Sequence, residues 1–210
     1  MVVIITPIMK IAMGLILPGF AWLTAAWGAP LQVDFSTLAT GQARWETITG
    51  TGSPSRTFPG YTALPRAGKH ITVSLANIAY NRRYDNGGVN DDLPGTDLDA
   101  MYGDLLFRNN DSATVDVSIS GLLAGTYQIT THHLIDSPSP GQFDLLVTDA
   151  NGAAQDFGNF TMGTGKVTAP AAFNPTVITF NVVSNGTDDI ILQMDQTVAS
   201  SGGNTGGWFG

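Results

Sequence analysis

Short segments of alternating apolar and polar residues, separated by turn residues, constrain the fold of this chain most strongly. In "ATVDVSIS" (113–120), one side carries Val115, Val117 and Ile119 and the other carries Asp116, Ser118 and Ser120. "TVITFNVV" (176–183) likewise places Ile178, Phe180 and Val182 inward. This period of two is typical of half-buried strands. Because such segments recur about ten residues apart with turns between them, the sequence predicts a β-sandwich or barrel.

The composition favours the same fold class. The 210 residues include 25 glycines and 11 prolines, and Glu46 is the only glutamate among seventeen acidic residues. Turns favour Asp, Asn and Gly, whereas helices favour Glu, Lys and Ala. No long helical period is present. We therefore expect one all-β domain, an antiparallel β-sandwich of about eight to ten strands.

Two Asn-Gly pairs mark predicted hairpins. One is "ANGAA" at 150–154, after the strand "QFDLLVT", and the other is Asn185-Gly186, between "TVITFNVV" and "DIILQM". Asn185-Gly186 suits a type I′ turn, because both central residues of that turn need a positive φ.

Charge and residue content narrow the possible functions. The formal net charge of −8 argues against nucleic acid as a partner, because binding phosphate needs a basic surface. The chain has no cysteine, so disulfides and thiol chemistry are excluded. No G-x-S-x-G elbow, P-loop or dinucleotide-binding glycine pattern occurs, and no pair of carboxylates stands out for glycoside hydrolysis. We therefore expect a protein that is not an enzyme.

The first 28 residues predict a signal peptide. Lys10 precedes the apolar "IAMGLILPGFAWLTAAWGA", and Ala26 and Gly28 suit a cut near Gly28–Ala29. A transmembrane anchor is the alternative, which Pro18 disfavours. Residues 29–210 are then one secreted or cell-surface β-sandwich domain with no transmembrane segment. The closing "GGWFG" is typical of the start of a strand, so we expect that the last strand is truncated.

The segment Tyr80–Asp111 holds three of the nine basic residues and seven of the seventeen acidic ones. One interpretation is structural: Arg82 or Arg83 pairs with Asp85 or Asp104 and orders a long connection, with a turn of helix near "DLDAMYGDLLF". The other interpretation is a sugar site, because a sugar has an apolar C–H face and a polar rim. Its flat faces and hydrogen-bonding groups would be Tyr80, Tyr84 and Tyr102 with Asn81, Arg82, Arg83 and Asp85.

Calcium is a further candidate ligand of this segment. Ca²⁺ takes six to eight hard oxygen ligands, and "DNGGVNDDLPGTDLD" offers Asp91, Asp92, Asp97 and Asp99. The segment does not match an EF-hand loop. We expect either a structural Ca²⁺ held by these four residues or a solvated acidic loop, and no other cofactor.

Adjacent His132 and His133 face opposite sides of a strand, so they do not line one site together. His132 is assigned to a sugar-binding rim, and a structural histidine is the alternative. Trp45 is predicted to lie in the core, while Trp208 is left open between the core and a stacking platform.

Several motifs together resemble one family: "VDF", "YNRRYDN", "YGDLLFRNND", "ISGLLAGTYQITTHH" and "GGWFG". They are similar to the galactose-binding-like jelly-roll domains, malectin-like and carbohydrate-binding-module-like, of exported bacterial proteins. The resemblance implies a jelly roll whose partner is a glycan or cell-surface polysaccharide, often with a structural calcium. We expect a non-catalytic domain that recognises a neutral glycan. A structural or adhesive surface domain, and an accessory domain of a polysaccharide-degrading enzyme, are the alternatives.

Overall fold

The fold was determined as a computed structural model, which describes residues 2–8, 30–35, 46–48, 54–58, 70–76, 80–83, 104–108, 114–135, 140–164, 174–198 and 207–208. These residues form fifteen strands. The sequence predicts fewer, about eight to ten. The strands are β1 (Val2–Ile8), β2 (Leu31–Phe35), β3 (Glu46–Ile48), β4 (Ser55–Phe58), β5 (Ile71–Ala76), β6 (Tyr80–Arg83), β7 (Asp104–Arg108), β8 (Thr114–Ser120), β9 (Gly125–Ile135), β10 (Gln142–Thr148), β11 (Gln155–Thr161), β12 (Gly163–Thr164), β13 (Thr176–Ser184), β14 (Ile190–Val198) and β15 (Gly207–Trp208).

The strands form two large sheets and a small one. Sheet I runs β13, β9, β1, β2 and β3, with β12 beside the end of β9; sheet II runs β11, β10, β14, β8, β5 and β4. The small sheet contains β15, β7 and β6. Neighbouring strands are antiparallel apart from the β2–β3 and β9–β12 pairs. Because the apolar faces of sheets I and II share one core, the protein is an all-β sandwich, as predicted.

Alternation along each strand decides which residues enter the core. Val115, Val117 and Ile119 of β8 are buried, and the residues between them are partly exposed. The inward positions predicted for β13 are confirmed as well: Ile178, Phe180 and Val182. A register slip of one residue would turn these side chains to solvent, so burial fixes the strand pairing.

Aromatic contacts join the two sheets. The ring of His133 on β9 lies 4.6 Å from that of Phe143 on β10, and the ring of Phe157 on β11 lies 4.9 Å from that of Phe180 on β13 (centroid distances). His133 is fully buried, and its Nε2 lies 3.0 Å from the hydroxyl oxygen of Thr131. The core therefore accepts an imidazole because its polar atom has a hydrogen-bonding partner.

Asp149 also connects the sheets, at the end of β10. Its carboxylate accepts hydrogen bonds from the backbone N–H of Asn151 (2.9 Å) and from the backbone N–H of Val183 on β13 (2.9 Å). The carboxylate is buried, with 4% exposure. Hydrogen bonds to a buried charged group are among the stronger ones, so we expect Asp149 to stabilise the contact between the sheets.

The two Asn-Gly pairs have different outcomes. The hairpin at Asn151-Gly152 is confirmed, because β10 and β11 pair antiparallel and Gly152 has a φ of +85°. The hairpin at Asn185-Gly186 was wrong: β13 belongs to sheet I and β14 to sheet II. There the Asn185 side-chain oxygen accepts hydrogen bonds from the backbone N–H groups of Thr187 and Asp188. This wider turn carries the chain from one sheet to the other.

Candidate functional site

The outer face of sheet I forms the first candidate surface, which we call the neutral face. It contains the outward positions of β9 and β13, which pair across the strands as His132–Val177, Thr130–Thr179, Gln128–Asn181 and Thr126–Val183. Val177 is 50% exposed and Val183 is 37% exposed. Among the described side chains of this face, including those on β1 and β2, none is acidic, lysine or arginine. The neutral face therefore mixes hydroxyl, amide and aliphatic groups.

A threonine pair lies near the middle of the neutral face. The hydroxyl oxygens of Thr130 and Thr179 are 3.1 Å apart, and either hydroxyl can be the donor. Each hydroxyl has one donor proton and two acceptor lone pairs. The pair therefore keeps hydrogen-bonding capacity for a ligand on the outer side.

His132 lies at one end of the neutral face, between the register positions of Val2 and Val177. Burial lowers the pKa of its imidazole below the ordinary value of 6.5, and the positive amino terminus lowers that pKa further. A lowered pKa means that the imidazole is neutral at pH 7. His132 therefore adds polar atoms to the face without adding charge. His133 lies on the opposite side of the strand, as the sequence predicts, and the structure shows that this side is the core.

The outer face of sheet II, which we call the acidic face, differs in charge. It carries the carboxylates of Asp116, Asp144, Asp156 and Asp195, and Arg56 lies on the edge strand β4. Side-chain donors bind several of these carboxylates. Asn159 donates to Asp144 (2.9 Å), Thr114 donates to Asp195 (3.0 Å) and Gln193 donates to Asp116 (3.1 Å). Much of the hydrogen-bonding capacity of this face is thus used within the protein.

The predicted residues Tyr80, Asn81, Arg82 and Arg83 form strand β6 in the small sheet. Arg83 lies directly opposite Asp104 on β7. This backbone placement is the one that the predicted arginine–aspartate pair requires. The side chains of both residues lie outside the part of the chain that the structure describes. The helical turn predicted near "DLDAMYGDLLF" was wrong for Asp104–Arg108, which is a strand. Its apolar residues Leu105, Leu106 and Phe107 suit strand pairing with β6.

The small sheet also aligns three aromatic positions. Tyr80 on β6 lies opposite Phe107 on β7, and Phe107 lies opposite Trp208 on β15. Directly opposite residues share a face of a sheet. The register therefore places Tyr80, Phe107 and Trp208 on one face, a juxtaposition that sequence spacing alone did not reveal.

The other predicted site residues fall elsewhere. Tyr84, Asp85 and Tyr102, the proposed calcium ligands Asp91, Asp92, Asp97 and Asp99, and also Trp45, lie outside the described residues. His132 belongs to sheet I and Tyr80–Arg83 to the small sheet, so strand pairing does not bring them together. Within the described ranges, no three His, Asp or Glu side chains are arranged to hold a metal ion. The same part of the chain contains no helix with the length and apolarity to span a membrane.

Sequence reasoning missed most of the neutral face. Its polar residues Thr130, Thr179, Gln128 and Asn181 are ordinary strand residues, and the pairing of β13 with β9 joins segments that are far apart in sequence. One signal was available: the outward positions of "TVITFNVV" carry no charge. Half-buried strands usually place polar residues there, whereas here two of the positions are Val177 and Val183.

Comparison with known proteins assigns no family. No family model and no curated protein matches the chain. The comparison with solved structures finds TmCBM61 in complex with β-1,4-galactotriose. The match covers 74% of this chain and 81% of the TmCBM61 chain, with 11% sequence identity and a TM-score of 0.35. Such a likeness is too weak to support a function or a fold family.

Proposed function

We propose that this protein is a non-catalytic carbohydrate-binding domain, secreted or held at the cell surface, that recognises a neutral glycan. The neutral face carries this proposal. A sugar presents C–H groups and hydroxyls side by side, and the neutral face presents valine side chains beside hydroxyls and amides. A neutral ligand would desolvate no charge among the described side chains of this surface.

The residues of strand β6, in the small sheet, are a second group that supports the same function. Tyr80, Asn81, Arg82 and Arg83 remain proposed sugar-binding residues, together with Tyr84, Asp85, Tyr102 and His132. The aligned positions of Tyr80, Phe107 and Trp208 suit a stacking surface for a pyranose ring. The same register also suits the alternative in which these aromatics pack beneath the small sheet.

Assignment to the galactose-binding-like jelly rolls belongs to this proposal, and so does export. The sequence of residues 1–28 supports a signal peptide, and motifs such as "YGDLLFRNND" and "ISGLLAGTYQITTHH" support the family. The N-terminal sequence of the exported protein tests export directly. A start near residue 29 is expected.

A structural calcium ion is proposed at Asp91, Asp92, Asp97 and Asp99. Ca²⁺ that binds only the folded chain raises its thermal midpoint. We expect the midpoint to rise with added Ca²⁺ and to return to its starting value with a chelator. The double variant Asp97→Asn/Asp99→Asn should abolish this response. A midpoint that does not respond to Ca²⁺ would rule out the site.

The experiment for glycan binding uses two matched threonines. Thr179 on the neutral face and Thr57 on sheet II are both exposed, and each lies within hydrogen-bonding distance of a cross-strand threonine (3.1 Å and 2.9 Å). The full chain is tested against a panel of neutral and acidic polysaccharides by retention in native gels and by sedimentation. Thr179→Asp should weaken binding to a neutral glycan about tenfold or more, because a carboxylate would be desolvated under the ligand. Thr57→Asp should bind like the parent chain.

The outcomes separate the candidate functions. Binding of a neutral glycan that Thr179→Asp weakens and Thr57→Asp preserves supports the proposal. Equal effects of the two variants would show that the glycan does not bind at the neutral face. Adhesion to cells without binding to any glycan in the panel would favour a structural or adhesive surface domain.

A further inference from the structure

Strand β13 forms one edge of sheet I. It pairs with β9 through nine consecutive residue pairs, from Thr176↔His133 to Ser184↔Gly125, and no other described strand pairs with it. In an antiparallel ladder the N–H and C=O of one residue point to the same side, and this side alternates from each residue to the next. Every second residue of β13 therefore directs its backbone groups away from β9.

The backbone of Val183 shows which residues of β13 point outward. Its N–H donates to the Asp149 carboxylate (2.9 Å), and its C=O accepts from the N–H of Ala150 (3.0 Å). Because the side alternates, the same outward direction applies to the backbone groups of three further residues: Val177, Thr179 and Asn181. Among the described strands, none lies along this edge to pair with those three residues. Val183 is thus capped, and the rest of the edge is open.

The other edges of the two large sheets differ from β13. The edge strand β3 has three residues, and β4 has four, including Arg56. The edge strand β11 has a register shift against β10, and its Gly158 has a φ of +94°. Short strands, charges and bulges protect sheet edges from pairing with another chain. β13 has none of these features, because its nine residues are regular and uncharged.

We propose that the edge of β13 pairs antiparallel with the same edge of a second copy of this chain, around a two-fold axis at Thr179. In this register Thr179 lies opposite Thr179 of the partner subunit, and Val177 lies opposite Asn181 of the partner subunit. Each of these pairs exchanges two N–H···O bonds, so the open residues of both copies are all used. The interface is isologous, since both copies contribute the same residues. This inference goes beyond glycan binding and does not depend on it.

The structure favours this register over its neighbours. The three open residues are evenly spaced about Thr179, so the edge is complementary to itself. A shift in one direction would place Val177 opposite the capped Val183, whose backbone groups are already bonded. A shift in the other direction would place Asn181 opposite Pro175, which has no N–H. The centred register is therefore the one that pairs every open group.

Charge favours a second copy over a charged partner. The chain has a net charge of −8, so two copies repel each other wherever their acidic surfaces meet. β13 and the described side chains beside it on the neutral face carry no charge, so two copies meet there without that repulsion. A basic or acidic partner strand would find no opposite charge among the same side chains.

This pairing also joins the two neutral faces. Directly opposite residues share a face of a sheet, so the two-fold axis is perpendicular to sheet I. The neutral faces of both copies then lie on the same side and form one continuous surface, with the two Thr179 side chains at its centre.

The first test measures the mass of the full chain by sedimentation velocity over a range of concentrations, with no glycan present. The parent chain should show a reversible monomer–dimer equilibrium. Thr179→Lys should weaken the dimer at least about tenfold, because it places two ammonium groups directly opposite each other. Thr130→Lys is the matched control, since Thr130 lies on the neutral face beside Thr179, with hydroxyl oxygens 3.1 Å apart. Its two lysines would be three strand spacings apart, about 14 Å, where salt screens them, so it should dimerise like the parent.

The second test uses the absence of cysteine from the chain. In the proposed register, Thr179→Cys places two thiols on Cα atoms about 5.5 Å apart, which is within the range of a disulfide. Thr130→Cys places them about 14 Å apart, which is too far. Mild oxidation should therefore link the first variant into a covalent dimer and leave the second unlinked.

Three results would overturn the inference. The parent chain remains a monomer even at millimolar concentration, Thr179→Lys keeps its fold and dimerises as strongly as the parent, or Thr130→Cys is linked as readily as Thr179→Cys. Circular dichroism checks the fold of each variant, and the cysteine pair decides if Thr179→Lys does not fold. Because no glycan is present, a monomeric parent overturns this inference alone, whereas a dimer that binds no glycan counts against the proposed function alone.

Discussion

Two exposed threonine pairs lie on opposite sides of the sandwich. Thr130 and Thr179 belong to the neutral face, where valines, amides and an imidazole surround them. Thr57 and Thr72 belong to sheet II, whose outer face carries Asp116, Asp144, Asp156 and Asp195. The inner faces of both sheets are similar mixtures of valine, isoleucine, leucine and aromatic residues. The comparison teaches that the inner faces of the two sheets are alike and fix the fold, whereas the described residues of their outer faces differ in charge.

The largest expected effect tests whether the two inner faces are equivalent. Ile5 on β1 and Ile119 on β8 are at most 1% exposed. In the full chain, Ile5→Ala and Ile119→Ala should each lower the free energy of unfolding by about 2–5 kcal/mol, because each leaves a cavity. Denaturant titration measures both values. If Ile5→Ala changed stability by less than about 0.5 kcal/mol, β1 would not belong to the core of sheet I.

The next effect concerns the connection between the sheets. Asp149→Ala should cost about 2–3 kcal/mol of unfolding free energy, because the backbone N–H of Val183 loses its charged acceptor. Asp156 is the matched control, since it is exposed and accepts from the backbone N–H of Gly158 (2.7 Å). Asp156→Ala should cost less than about 1 kcal/mol. Equal costs would show that Asp149 acts only within its own turn.

A smaller effect probes repulsion on the acidic face. Asp144 and Asp195 lie directly opposite each other on β10 and β14, and like charges so placed destabilise a sheet. Asp195→Asn removes one charge but keeps an oxygen to accept from Thr114. We expect a gain of about 0.2–1 kcal/mol in unfolding free energy, which shrinks as salt is added. A clear loss of stability would contradict net repulsion between the two carboxylates.

The smallest effect is the pH dependence due to His132. Because its pKa is lower in the folded chain than the ordinary value of 6.5, the unfolded chain binds a proton more readily. Its contribution to stability is therefore complete above about pH 6.5 and is lost as pH falls through the folded pKa. The difference in unfolding free energy between the parent chain and His132→Gln should decrease in that window. A difference that stays constant from pH 7 to pH 4 would contradict this assignment.

Local sequence pattern predicted much of the fold. Alternation alone gave the buried faces of β8 and β13, including Ile119 and Phe180, because the core selects one side of each strand. It also placed His132 and His133 on opposite sides of their strand. The same reasoning failed at Asn185-Gly186, because a turn sequence does not reveal whether the following strand stays in the same sheet.

The candidate site was less predictable because it depends on long-range pairing. Thr130 and Thr179 become neighbours only through the β9–β13 register, which no local signal specifies. Tyr80 and Trp208 are likewise brought to one face only through β7. The sequence did identify Tyr80–Arg83 as unusual, but it attributed that segment to a connection rather than to a strand.

Methyl NMR of the valines tests the central claim most directly. Val177 and Val183 expose their methyl groups on the neutral face, and Val198 on β14 of sheet II is similarly exposed, at 47%. A neutral glycan that the full chain binds is titrated into protein labelled at valine methyls. We predict saturable shifts of the Val177 and Val183 signals with the Val198 signals unchanged. Shifts at Val198 alone, with Val177 and Val183 unaffected, would contradict glycan binding at the neutral face.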